Sequence, residues 1–139
     1  MIDVKRKTEL WICAQSAGHI DFPIFPTNGG DKFTEATFPE PPYAVVEVGS
    51  AEKLIQDEST WKLEVFVKYI THIDESDVNE RETDVRALHQ ILGTLPYGEY
   101  NSAFDLIIHG CNITGTDTFI DDTKQSHGDV WTLDVFVTG

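Results

Sequence analysis

Between Trp61 and Ile70 the chain reads W-K-L-E-V-F-V-K-Y-I. Trp61, Leu63, Val65, Val67 and Tyr69 recur at every second position, with Lys62, Glu64 and Lys68 among the residues between them. A period of two places the apolar set on one face of a pleated strand, a geometry that β-branched and aromatic residues favour. The pattern returns from Trp131 to Val137, and both copies share W-x-L-(E/D)-V-F-V. The repeat predicts two central strands of one sheet, side by side or related by a local repeat. Phe66 and Phe136 hold the same place in the two copies and interrupt the polar face, as Ile70 does. Two readings of that face follow. Either a helix or loop of the same chain covers it, or another copy of the protein closes it, because two aromatics there leave an apolar patch on a monomer.

Around these strands the pattern predicts a helix over residues 3–17, capped by Asp3. Its apolar set is Leu10, Trp11, Cys13, Ala14 and Ala17, with Gly18 just past its end. Residues 19–42 read as a long irregular segment. Ile20, Phe22, Ile24 and Phe25 suggest a short strand, which Pro23 and Pro26 bar from a sheet centre. Asn28-Gly29-Gly30-Asp31 signals a turn, with no Lys-Ser/Thr pair to make it a phosphate loop. Tyr43 to Val48 reads as a strand ended by Gly49 and joined to the Trp61 strand by an acidic loop at 50–59. Val78, Val85, Leu88 and Leu92 mark a helix over 77–92, with Asp77 and Glu80 at capping-box spacing and Gly93 as its stop. Phe104 to Ile108 and Val130 to Val137 are further strands, Ile113 and Phe119-Ile120 suggest short extended pieces, and about 111–129 reads as a second acidic loop. The expected fold is one α+β domain over 1–139: a mostly antiparallel β-sheet with an N-terminal helix and a central helix packed on one face.

Composition narrows the function classes. The chain has 139 residues, 40% of them hydrophobic, enough for an ordinary core without metals or disulfides. Ten Lys and Arg stand against 24 Asp and Glu, a net charge of −14, which opposes binding to nucleic acid through phosphate neutralisation. An acidic wall instead lets DNA pass without sticking. Cys13 and Cys111 have no zinc-like spacing, and reduced thiols in a cytoplasmic product are the expectation. No apolar run has the length of a membrane span.

Candidate chemistry is sparse. His72-Ile-Asp74 and His127-Gly-Asp129 each offer a nitrogen and a carboxylate to a metal, the basis of a minor reading as a small metal-dependent enzyme. Neither has a third ligand at a matching spacing, and solvated loop residues are the plainer reading. Asp117, Asp121 and Asp122 lack the alternation of a calcium loop. Ser126, His127 and Asp129 carry the letters of a hydrolytic triad, but neighbours on an extended chain point to opposite faces. The expectation is a non-enzymatic chain with no catalytic residues, cofactor or metal.

The ordered features from about residue 40 onward resemble the tail terminator family of tailed bacteriophages. The matching pieces are the N-terminal helix, Pro41-Pro42-Tyr43-Ala44-Val45-Val46, the strand Leu63 to Val67 and the His72-Ile-Asp74 exit. The helix through Val85, Leu88 and Leu92 and the closing strand Leu133 to Val137 complete the set. The resemblance implies a virion protein, made in the host cytoplasm, that forms a ring at the head–tail junction, commonly a hexamer. The ring caps the tail tube, and its partners are the tail tube protein and the head connector or neck protein, with DNA passing through unbound. On that reading Phe66, Phe136 and Ile70 supply ring contacts. Glu52, Asp57, Glu58, Asp117, Asp121 and Asp122 face the lumen or rim and repel phosphates. Another phage neck or tail-tube subunit is the alternative within the same class.

Overall fold

A computed structural model describes residues 2–26, 42–54, 59–72, 78–121 and 126–139. In chain order the elements are α1 (Ile2–Ala17), β1 (Ile24–Pro26), β2 (Tyr43–Lys53), β3 (Thr60–His72), α2 (Val78–Gly93), β4 (Tyr100–Asn101), β5 (Leu106–Asp121) and β6 (Ser126–Thr138). The strands form one sheet in the order β1-β2-β3-β6-β5-β4. The class is broadly α+β. The sheet is curled and mixed where a mostly antiparallel one is expected: β1 runs parallel to β2, and the other pairings are antiparallel. β1 is a three-residue edge strand, as its flanking prolines require.

The two W-x-L-x-V-F-V copies are β3 and β6, and they pair with each other. Trp61 lies opposite Val137, Leu63 opposite Val135, Val65 opposite Leu133 and Val67 opposite Trp131. The repeat thus meets itself head to tail. Leu63, Val65, Val67, Tyr69, Trp131, Leu133, Val135 and Val137 are all buried, and they form one core with Trp11 and Ile12 of α1 and Leu88 and Leu92 of α2. Full burial of each such leucine contributes roughly 1.5–3 kcal/mol.

Several boundaries differ from expectation for identifiable reasons. The N-terminal helix begins at Ile2, ahead of Asp3, and its buried positions are Val4, Thr8, Glu9, Trp11, Ile12 and Ser16. Ala14 and Ala17 are exposed. The face was hidden because it carries polar residues satisfied internally. Thr8 and Ser16 donate to the carbonyls of Val4 and Ile12, both at 2.8 Å, and Glu9 accepts the Val48 N–H at 3.1 Å. Gly49 does not end β2. It sits in a register shift between Val48 and Ser50, and the strand continues to Lys53. The expected acidic loop at 111–129 is largely strand: β5 runs to Asp121 and β6 starts at Ser126. Glycines, threonines and aspartates disguised it, and shifts beside Gly110 and Gly115 break its period of two. Asn28 to Asp31, Phe33 to Phe38 and the Asp77 cap lie outside the described residues.

Candidate functional site

The helices pack on one face of the sheet, so the second face is the first candidate surface. The register places Phe66, Ile70 and Lys62 of β3 there with Phe136, Thr132 and Asp134 of β6. Phe66, Phe136 and Ile70 are each half-buried. The aromatic rings have a shared local role. Phe66 lies over Gly49 of β2, where an added β-carbon would come within 2.7 Å of the ring, and Phe136 lies 3.8 Å from the same point on Gly110 of β5. Phe119 of β5 covers Gly128 of β6 more closely still. Each ring shields the bare backbone of a neighbouring strand, a device that also pins register. Cross-strand ion pairs separate the apolar patches: Lys62 with Asp134 at 3.8 Å and Lys68 with Glu47 at 3.3 Å. These are half-exposed pairs that set charge pattern more than stability.

A second candidate is a cleft of about 700 Å3 between α2 and the distal parts of β5 and β6, lined by Arg81, Val85, Arg86, His89, Thr116 and Trp131 among others. Three polar bridges tie α2 to the sheet behind it. Arg81 donates to Asp129 at 2.6 Å and to His127 Nε2 at 2.9 Å. Tyr69 donates to Asp84 at 2.5 Å, and Trp131 Nε1 donates to His89 Nδ1 at 3.0 Å. Burial raises the Tyr69 phenol well above its ordinary value, and the hydrogen bond and charge of Asp84 push the same way. An arginine can only donate, and so can an indole. His127 at Nε2 and His89 at Nδ1 must therefore be acceptors. The two thiols are quiet: burial, then Glu9, pushes Cys13 up to about 12, and burial pushes Cys111 up to about 11. Both shifts disfavour the thiolate at neutral pH.

The expected site residues are dispersed. His127 and Asp129 come together, but on Arg81. His72 pairs in register with Ser126, one residue beyond the Thr71–His127 pair, so its side chain leaves the opposite face of the sheet from His127. Asp74 lies outside the described residues, and among the described residues no three metal-type ligands cluster. Glu52 and Asp117 are both exposed but at opposite ends of the sheet. Glu52 is level with Lys62, and Asp117, through Val130, is level with Lys68, a separation of about 20 Å along β3. The backbone of Asp121 ends β5, while Asp57, Glu58 and Asp122 lie outside the described residues. Sequence reasoning missed Glu9, Tyr69, Arg81 and Asp84 as polar anchors. The available signal was spacing: Arg81 and Asp84 continue the helical stripe of Leu88 and Leu92.

No family model matches the chain, and no curated protein matches it. Among solved structures, a chain from "Virion of native gene transfer agent (GTA) particle" is similar, with a TM-score of 0.51 at 9% identity. The match covers 99% of this chain and 92% of that one, so the likeness is one of fold along nearly the whole length of both.

Proposed function

We propose that this protein is a non-enzymatic structural subunit of a phage-like virion, and more specifically a tail terminator. The observation that carries the reading is the fold-level likeness to a chain of a gene transfer agent virion over 99% of the sequence. The open sheet face supports it, with Phe66, Phe136 and Ile70 half-buried on the side away from both helices. Copies arranged head to tail cover those residues with a different surface of the next subunit and close a ring, a hexamer on the family resemblance. The ring caps the tail tube and meets the head connector or neck protein at the head–tail junction. The net charge of −14 keeps the DNA path repulsive, with Glu52, Asp57, Glu58, Asp117, Asp121 and Asp122 lining the lumen or rim.

The test is tube-length control. Purified protein added to polymerising tail tubes of its own phage or particle stops elongation at substoichiometric ratios to tube subunit. Tubes that keep growing contradict the terminator role, and long tubes formed by the protein alone reassign it to the tube.

A further inference from the structure

The two halves of α2 are held to the sheet by different forces. The second half, Arg86 to Gly93, is anchored by burial: Leu88 and Leu92 are enclosed in the core, and Ile91 packs against it. Arg, Ala, Leu and Gln dominate this half, all strong helix formers. In the first half, among the described side chains from Glu80 to Val85, only that of Asp84 is buried, and Val85 packs partly against the core. Polar bridges do the holding there: Arg81 to Asp129 and His127, and Tyr69 to Asp84. Its sequence draws on Val78, Asn79, Thr83, Asp84 and Val85, all of poorer helix propensity. Two details ease its release. Arg81 Nε is buried with no hydrogen-bond partner among the described residues, so the closed arrangement carries a donor that water would satisfy. Toward β5 this half borders an open cleft, where Arg81, Glu82 and Val85 stand opposite Thr116 and Asp117.

We propose that the first half of α2 is a lid that opens as a unit about Val85 and Arg86 while the rest of the chain stays folded. Opening breaks the Arg81 and Asp84 bridges and leaves Leu88 and Leu92 in the core. Freed from the sheet, so short a helical stretch does not persist in water, so the lid opens by unwinding. It uncovers Tyr69 and Asp129, both buried in the closed form, and extends the cleft of about 700 Å3 across them. His89 lies on the second half and keeps its contact with Trp131, which holds that part of the cleft floor while the lid moves. The chain thereby has two native surfaces at this place, one sealed and one open. The device belongs to the single chain and does not rest on the virion reading.

Native-state hydrogen exchange on the full-length, isotopically labelled protein in low urea is the test. The probes are the amides of Glu82 to Arg86 in the lid, those of His89 to Gly93 in the second half, and those of β3. The first amides of the helix lack intrahelical partners and are left aside. After correction for intrinsic rates, the lid amides exchange about 100-fold faster than the others and with little urea dependence, because the opening exposes little surface. Two variants separate a lid from general fragility. Leu92→Val speeds the second half and β3 about tenfold and leaves the lid unchanged, because Leu92 stays packed when the lid opens. R81M speeds the lid by about thirtyfold or more, as the loss of its bridges requires. Lid amides that share the rates and urea slopes of the second half and β3 overturn the proposal. So does a lid accelerated by Leu92→Val as much as the second half, or one whose exchange R81M leaves unchanged.

Discussion

Replacing Arg81 with methionine tests how α2 is held over the sheet. Methionine keeps most of the length and apolar stem but removes every donor. Its loss leaves Asp129, with 10% of its side chain exposed, without its cation, and His127 without its donor. At 2.6 Å the gross attraction of the pair is about 6 kcal/mol at an effective dielectric of 20. Desolvation offsets much of that, and Arg81 is itself 21% exposed, which screens the remainder. A net destabilisation of about 2–3 kcal/mol is expected for R81M. For a domain of this size that is a fall in Tm of roughly 8–10 °C. D129N should cost about 1 kcal/mol, because the amide oxygen still accepts from Arg81. Urea unfolding at pH 7 on both single variants and the double variant gives the coupling, expected near 1.5 kcal/mol with unchanged m-values. An R81M protein within 0.5 kcal/mol of the parent, or a coupling near zero, refutes the claim that this bridge anchors the helix.

Other outcomes follow from the same contacts. Tyr69, Cys13 and Cys111 all have raised values in the folded state, so their contribution is complete below the unfolded values and is lost as pH rises. Stability should decline from about pH 8.5 upward, and Y69F should remove part of that slope; denaturant unfolding between pH 7 and 11 measures it, and a flat profile opposes it. Glu9→Leu leaves the Val48 N–H unsatisfied at the β2 shift and should cost about 1–3 kcal/mol, whereas Glu9→Gln keeps an acceptor and costs less. Gly128→Ala forces the Phe119 ring off the backbone it covers, and fluorine-labelled phenylalanine should report that ring moving to a solvent-like position without unfolding.

The strands with the cleanest alternation were fully legible in the sequence. Trp61 to Tyr69 and Trp131 to Val137 announce their faces, and of the two arrangements the repeat left open the structure shows the side-by-side one. The distal half of β5 was not, because residues 114–120 are exposed on both faces and so have no apolar period to read. The inner face of α1 was hidden for the opposite reason: Thr8, Glu9 and Ser16 are buried, and only the folded chain shows the partners that make this tolerable. The same holds for Arg81, whose partners Asp129 and His127 lie more than forty residues away. Phe66 and Phe136 were visible as anomalies on a polar face. Their placement over Gly49 and Gly110 depends on neighbouring strands with register shifts that no local pattern announces.

The central claim is that the open sheet face of each copy is covered by the next copy in a ring. Light scattering on size-exclusion fractions, with negative-stain images of the same peak, measures this for the parent and for F66S/F136S. The account predicts closed rings for the parent and folded monomers, with unchanged circular dichroism, for the variant. A parent that stays monomeric at high concentration, or a double variant that still forms rings, contradicts it.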